Sequence, residues 1–482
     1  MGRHVAWALP LLFAALVRIA LAADAADGPL LGDEATLRRL GNLWATHGVY
    51  VGEWPPVIPW LLARLQGLVG LGPNLAWLRG LDVVFSTATV GVIMALVARL
   101  GGRRAGLVAG WVAAQHVALA IWSALIFTEA LFVLVFAVAL ALVARLFDAD
   151  RAPSARARGW LPFAIGAWLG VGLLVRAAGL VLTVAVGAAV FLARAREEQA
   201  RAPGPRLGAI VAAPATRGLV EAAAIIVAAL VVLLPWSMRS TLVVGASKWA
   251  SATGAGNIVL GWSGAPIPFE RAGLESSAID AAPLGGLRHW LEAPGPSVPG
   301  PEVFADGTRM QGYARERVRE VLTTHPGWAI RSRIIGVSDV FSPLSFAHRA
   351  LRLGQLDGIA QRPWARRALL LGGALSSVAV LGLALVAAAR RVAPPWFEVL
   401  ALLLVLAHVA VPLAMFGISR FRAPLEPVLI ALAALACTRP TDPSRAPTGI
   451  TRKLIVGALS ALAVVTQLVS LPVVVAALRT SW

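Results

Sequence analysis

Long apolar runs separated by short polar stretches fill most of this chain. Eleven runs, at about 5–22, 76–99, 105–122, 127–147, 159–177, 179–193, 218–237, 367–389, 395–416, 424–438 and 454–478, approach the ~20 apolar residues that cross a bilayer. Only a short break near Ala178-Gly179 divides the fifth run from the sixth. Residues 1–22 also fit the outline of a signal peptide, with Arg3 and His4 in front and Ala20-Leu-Ala22 as a small-residue site. Arg18 interrupts that apolar core. On either reading residue 24 emerges outside the cytoplasm.

Two polar segments break the rhythm. The first, 23–75, contains Gly32-Asp-Glu34, which opens a helix where acids complement the N-terminus. Gly48 closes that helix and Pro55-Pro56 prevent its continuation. The second, 238–366, holds Lys248-Trp-Ala-Ser-Ala-Thr-Gly-Ala-Gly-Asn257, a Pro/Gly-rich loop over 281–301, a helix from about Asp306 to Thr324 stopped by His325-Pro326, and an amphipathic stretch over 327–340 leading to Phe341-Ser-Pro343. The expected division is therefore an N-terminal membrane region over residues 1–237, a large outer segment over 238–366 and a C-terminal membrane region over 367–482. No repeat, heptad pattern or soluble second domain is apparent.

Basic residues fix the orientation. With the N-terminus in the cytoplasm, nineteen arginines and lysines fall in cytoplasmic segments. Five, Arg38, Arg39, Arg64, Arg420 and Arg422, fall in short outer loops. The long outer segment is exempt from the rule. Composition agrees: of 482 residues, 58% are hydrophobic and 14% charged, with mean hydropathy +0.76. Soluble domains carry about 25% charged residues. The fold class is thus an all-α polytopic membrane protein with amphipathic helices in two outer loops. The net charge of +18 needs no nucleic-acid partner. The single cysteine, Cys437, excludes an intrachain disulfide and a cysteine-rich metal site.

Ionisable residues at helix ends or within apolar runs are costly and mark candidate sites. Arg18, Arg79, Asp82, Glu129, Arg176, Arg239, Arg420 and Arg422 all fall at the outer face under this topology. Arginine's planar fork suits phosphate, so the cluster reads as an anionic headgroup site with carboxylates beside it. The plainer alternative is that each arginine snorkels to lipid or pairs with Asp82, Glu129 or Glu426. Asp33 likewise reads either as a helix cap, with Glu34 solvated, or as a reactive carboxylate. His116, His408 and Gln467 read as hydrogen-bonded core residues, His47 and His325 as surface residues. Gly166, Gly170 and Gly172 are spaced for close helix packing. No spacing of His, Asp and Glu calls for a metal, and no Walker or dinucleotide motif fits its context.

These residues, in this order, resemble the GT-C membrane glycosyltransferases. The likeness is to the branch similar to bacterial protein O-mannosyltransferases and lipid A aminoarabinose transferases (glycosyltransferase families 39 and 83). The likeness covers nearly the whole chain. It rests on Arg18 followed by Asp33-Glu34, Gly48-Val-Tyr50, Pro55-Pro56, Glu129, Val175-Arg176, Pro235-Trp236-Ser-Met-Arg239, Gly256-Asn257 with Gly261, the helix end at His325-Pro326, and Arg420-Phe-Arg422-Ala-Pro424-Leu-Glu-Pro427. Two tyrosines usual in the family are Leu37 and Phe421 here.

The resemblance implies a GT-C-like bundle of about eleven transmembrane helices in the inner (plasma) membrane. It implies transfer of a sugar from a polyprenyl-phosphate donor to a protein, glycan or lipid acceptor on the extracytoplasmic side. Asp33, Glu34 and Glu129 become the expected catalytic carboxylates. Arg176, Arg239, Arg420 and Arg422 become the donor-phosphate ligands, and Tyr50, Pro55, Pro56 and Arg79 the substrate-binding positions. Membrane lipid is an expected partner; no cofactor is certain, and a divalent metal is left open. The rival from another class is a transporter or lipid flippase. Paired halves with broken helices would favour it, and no two halves of this sequence match. A third reading, an assembly subunit, would have no need of Asp33.

Overall fold

The computed structural model describes residues 2–26, 28–30, 33–48, 54–69, 76–148, 155–201, 215–244, 253–262, 307–343, 350–351, 354–415 and 419–440, and beyond these only positions 457, 460, 461, 463, 464 and 467. The membrane region is built from α1 (Gly2–Asp24), α4 (Ala76–Gly101), α5 (Arg103–Gln115), α6 (Val117–Ala120), α7 (Glu129–Asp148), α8 (Ala155–Val175), α9 (Gly179–Arg201), α10 (Ala215–Val244), α15 (Pro363–Arg390), α16 (Pro395–Ala414) and α17 (Glu426–Thr438). Among the described residues, eight helices are long and apolar enough to cross a membrane, or nine if a bent pair counts as one span. The apolar helix Gly159–Val175, the expected fifth span, is slightly shorter. Most of the eleventh expected run, 454–478, lies outside the described residues, as do the 281–301 stretch and Tyr50.

Small residues allow close packing. A Cβ on Gly170 would sit 2.8 Å from the Ala229 carbonyl oxygen, and one on Gly166 would strike the Ile225 carbonyl, so α8 lies directly on the backbone of α10. This is the close-packing role expected from their spacing.

The third span is not the single helix expected over 105–122. It breaks at His116, whose ψ of 105° is extended, and the axis turns by 65° between Arg103–Gln115 and Val117–Ser123. A broken helix leaves carbonyls without helical partners. The fully buried Arg18 supplies donors: its Nη1 and Nη2 reach the carbonyls of Ala114 (3.3 Å) and Ala113 (3.4 Å). Its Nε donates to Ser86 Oγ at 2.7 Å, and Ser86 donates on to the Leu119 carbonyl at 3.2 Å. Arg18 is thus spent on holding the break rather than offered to a ligand.

Between α1 and α4, two short helices, α2 (Asp33–His47) and α3 (Val57–Val69), pack against each other. Leu37, Ile58, Leu62, Leu78 and Ile126 form their small core. Gly48 ends α2 with φ 67°, the left-handed conformation that favours glycine. Between α10 and α15, α11 (Thr253–Trp262) packs on α12 (Gly307–Thr324), and α13 (Pro326–Phe341) follows directly, as the His325-Pro326 stop requires. These helices hold the end of α16: Trp262 Nε1 donates to the Ala414 carbonyl at 2.9 Å, and Arg333, 4.4 Å over the Trp262 ring, donates to the carbonyls of Gly261 and Met415. The short helix α14 (Asp357–Ala360) leads into α15.

Candidate active site

The bend at His116 delivers a compact segment, 121–128, to the end of the bundle where α7 begins. Each surrounding element contributes a side chain. Asp33 is the first residue of α2 and Glu129 the first of α7, so both carboxylates sit at positive helix ends. Arg176 lies in the turn between α8 and α9, its N–H donating to the Gly172 carbonyl at 2.8 Å. Arg420 lies in a 3₁₀ segment, Ser419–Leu425, in front of α17.

These four residues form one network. Arg420 donates through Nε to Glu129 and through Nη1 to Asp33. Arg176 donates through Nη1 to the same Glu129 oxygen and to Thr128 Oγ1, the latter at 3.3 Å. Phe127 lies under the Arg420 guanidinium at 4.5 Å and Phe421 near that of Arg176 at 5.6 Å. Two carboxylates against two guanidiniums make the network neutral. Glu129 is buried at its centre, while Asp33 retains 19% and Arg176 15% of its side-chain exposure. That exposure opens into a cavity of about 430 Å³. Asp33, Thr128, Arg176, Asn257 and Arg420 give it polar groups, Trp54 and Pro55 also line it, and Val181 of α9, Val411 of α16 and Met415 just after α16 give it apolar walls.

Donors and acceptors remain. Among the described residues, Arg420 Nη2, Arg176 Nε and Arg176 Nη2 make no hydrogen bond to protein, and neither does Asp33 Oδ1. A guanidinium carries five donors and a carboxylate only accepts. The site can therefore take an anionic group and, separately, a hydroxyl.

Other expected site residues are placed elsewhere. Glu34 is not solvated; it is fully buried, facing away from the cavity. It accepts from the Ile126 N–H at 2.8 Å and from Gln355 Nε2, with Arg79 Nη1 at 3.7 Å. The reason is α2's docking on 124–126, which leaves no room for water at its second residue. Arg79 is buried too and donates to the Ala124 carbonyl, so it braces that segment and does not line the cavity. Arg422 faces Glu426 at 2.6 Å, away from the cavity. Arg239 is not brought to the cluster; its guanidinium lies 5.3 Å from the Trp236 ring. Pro55 lines the cavity, and Pro56 is buried without lining it.

Pairing of Arg176 and Arg420 with Glu129, and of Arg422 with Glu426, is what the plainer sequence alternative held. His116, His408 and Gln467 are hydrogen-bonded inside the protein, as expected: His408 Nδ1 donates to the Leu404 carbonyl at 2.6 Å and Gln467 to that of Phe341 at 2.9 Å. His408 also lines the cavity. Thr128 and Trp54 were not singled out by sequence. Thr128's adjacency to Glu129 was the only signal for it, and Trp54's position before Pro55-Pro56 the only one for Trp54. No group of three or more His, Cys, Asp or Glu residues able to hold a metal occurs among the described residues.

Residues 53–217 match the family model described as dolichyl-phosphate-mannose-protein mannosyltransferase. That stretch contains Glu129 and Arg176, while Asp33 and Arg420 lie outside it. No curated protein sequence matches the chain significantly. Among solved structures, an Archaeoglobus fulgidus oligosaccharyltransferase tethered to an acceptor peptide is 13% identical with a TM-score of 0.49, covering 98% of this chain and 55% of its own. ArnT from Cupriavidus metallidurans bound to undecaprenyl phosphate is 17% identical with a TM-score of 0.40, covering 89% of this chain and 77% of its own. The chain thus spans about half the length of the archaeal structure. Over residues 53–217 it is similar to the dolichyl-phosphate-mannose-protein mannosyltransferases, which bears out the resemblance drawn from its motifs.

Proposed function

We propose that this multi-pass membrane protein is a glycosyltransferase that moves one sugar from a polyprenyl-phosphate carrier to an acceptor hydroxyl at the outer face of the inner (plasma) membrane. The observation that carries this reading is the cavity itself. Its polar side joins one carboxylate oxygen without a protein partner to guanidinium groups with donors to spare, and its other walls are apolar. A phosphate with a lipid tail matches that combination, because arginine's fork binds phosphate oxygens and the apolar walls take hydrocarbon. The family match over residues 53–217 supports the same class of reaction.

In the proposed reaction Asp33 accepts the proton of the acceptor hydroxyl. That oxygen bonds to the anomeric carbon of the sugar, whose bond to the phosphate oxygen breaks. The polyprenyl phosphate leaves with the bonding electrons and one more negative charge. Arg176 and Arg420 stabilise that charge where it develops, and such fixed donors cost no reorganisation at the moment of reaction. Before the donor arrives, Glu129 and Asp33 together balance the two guanidiniums. Glu34 acts one step back, fixing α2 so that Asp33 faces the cavity.

The transport reading has one feature in its favour, the 65° break at His116. Transporters of that kind place matching breaks in two related halves near the midplane. Here the break is stapled by Arg18 and leads to the carboxylate–arginine network instead. Incubating membranes that contain the protein with a panel of labelled polyprenyl-phosphate sugars tests the proposal. A labelled acceptor that depends on the protein is expected; carrier movement across the bilayer without transfer would favour the transporter.

A further inference from the structure

The 3₁₀ segment that carries Arg420 is held from behind by a buried trio outside the cavity. In a 3₁₀ turn residues two apart point in different directions, at three residues per turn. Arg420 accordingly reaches the cavity, while Arg422 turns into the bundle. There its Nε donates to Glu426 Oε1 at 2.6 Å, its Nη1 to the Ser342 carbonyl at 3.0 Å and its Nη2 to Ser377 Oγ at 3.2 Å. The second oxygen of Glu426 lies 2.9 Å from His116 Nε2, across 310 residues of sequence. A carboxylate only accepts, so the imidazole hydrogen sits on Nε2. His116 Nδ1, buried, has no hydrogen-bond partner among the described residues.

We infer that His116, Glu426 and Arg422 form a positioning unit that sets Ser419–Leu425, and through it the Arg420 guanidinium, against the cavity. Through its hydrogen bonds the unit ties three other parts of the fold to that segment. His116 is the residue at which the third span breaks, Ser377 belongs to α15 and Ser342 follows α13. All three side chains are buried, His116 completely. The pair of Arg422 and Glu426 carries no net charge, and the unit is tied to the segment by its hydrogen bonds. A truncated member leaves a buried charge or hydrogen bond unmatched, and the segment shifts to recover it. The consequence for the sugar donor rests on the function proposed above; the positioning of the segment does not.

The test reads the segment directly. Phe421→Cys on a Cys437→Ser background puts a thiol at the cavity, near Arg176. Its rate of modification by a charged methanethiosulfonate is compared in folded, detergent-solubilised protein. His116→Leu should change that rate about fivefold or more, and His116→Gln, whose amide can still donate to Glu426, should stay within about twofold. Ser377→Ala removes one acceptor of Arg422 and should move the rate in the same direction as His116→Leu, by less. It decides the matter if His116→Leu does not fold. An unchanged rate in folded His116→Leu or, failing that, in Ser377→Ala overturns the inference. So does a His116→Gln variant as disturbed as His116→Leu. Binding of undecaprenyl phosphate, measured alongside without the Phe421 substitution, should weaken about tenfold in His116→Leu only. If the unsubstituted protein does not bind that probe, the donor reading fails while the thiol rates still decide the positioning.

Discussion

Arg420 and Asp33, 387 residues apart in sequence, form an ion pair at the edge of the cavity. The same guanidinium reaches Glu129, so a late 3₁₀ segment joins the first residues of two helices near the beginning of the chain. The pairing explains how a polar site persists in an apolar bundle. Each charge is matched, and each arginine keeps donors for a ligand.

Arg420→Lys should be nearly as damaging as Arg420→Ala. An ammonium is a point charge and cannot span Asp33 and Glu129 as the planar fork does. Each charged hydrogen bond lost to the donor phosphate costs roughly 1.5–3 kcal/mol, about tenfold or more in donor KM. Transfer kinetics at varied donor concentration check this. An unchanged donor KM in both variants would remove Arg420 from the phosphate site.

Glu34 should behave as a brace. Glu34→Gln keeps an acceptor for the Ile126 N–H but loses the charge facing Arg79. Breaking a buried pair by removing one partner costs about 3–5 kcal/mol. Melting temperature should therefore fall, while transfer per amount of folded protein stays within about tenfold of the unsubstituted enzyme. A stable protein with abolished transfer would assign Glu34 a chemical role instead.

The contact between α8 and α10 leaves no space for a side chain at Gly170. Gly170→Leu should force the two helices apart and lower the yield of monodisperse protein, since overpacking costs about 1–3 kcal/mol or more. Size-exclusion profiles and melting curves report it, and a Gly170→Leu variant as stable as its parent would contradict the packing.

Burial pushes the Asp339 carboxyl, near the end of α13, up to about 7. Its folded value lies above the unfolded value near 3.9. The neutral acid thus favours the folded state, and that advantage fades as pH rises from about 4 and is gone above about 7. Asp339→Asn should raise the melting temperature at pH 8 relative to the parent and change it less at pH 5. Equal shifts at both values would mean that Asp339 ionises without penalty.

Much of this was legible in the sequence because the rules involved are local. Asp33-Glu34 and Gly48 marked the ends of α2, and His325-Pro326 marked the junction of α12 and α13. The topology rule placed Glu129, Arg176 and Arg420 on one face. What was not legible depends on tertiary contacts. The break at His116 has no proline or glycine to announce it and is held by Arg18 and Glu426 from other helices. Burial of Glu34 follows from the docking of α2 on 124–126. The opposite facing of Arg420 and Arg422 depends on a 3₁₀ turn that apolar periodicity does not reveal.

The central claim is that Asp33 takes the acceptor's proton, and Asp33→Asn tests it most directly. The amide preserves the shape of the side chain and caps a helix about as well as the carboxylate. It removes the charge and the basicity. General-base catalysis contributes roughly 10²–10⁴-fold. The measurement is sugar transfer from the polyprenyl-phosphate donor per amount of correctly inserted protein, in Asp33→Asn and its parent. The account predicts a folded protein whose transfer rate has fallen by about two orders of magnitude or more. A folded Asp33→Asn protein that transfers at nearly the parent rate would contradict it.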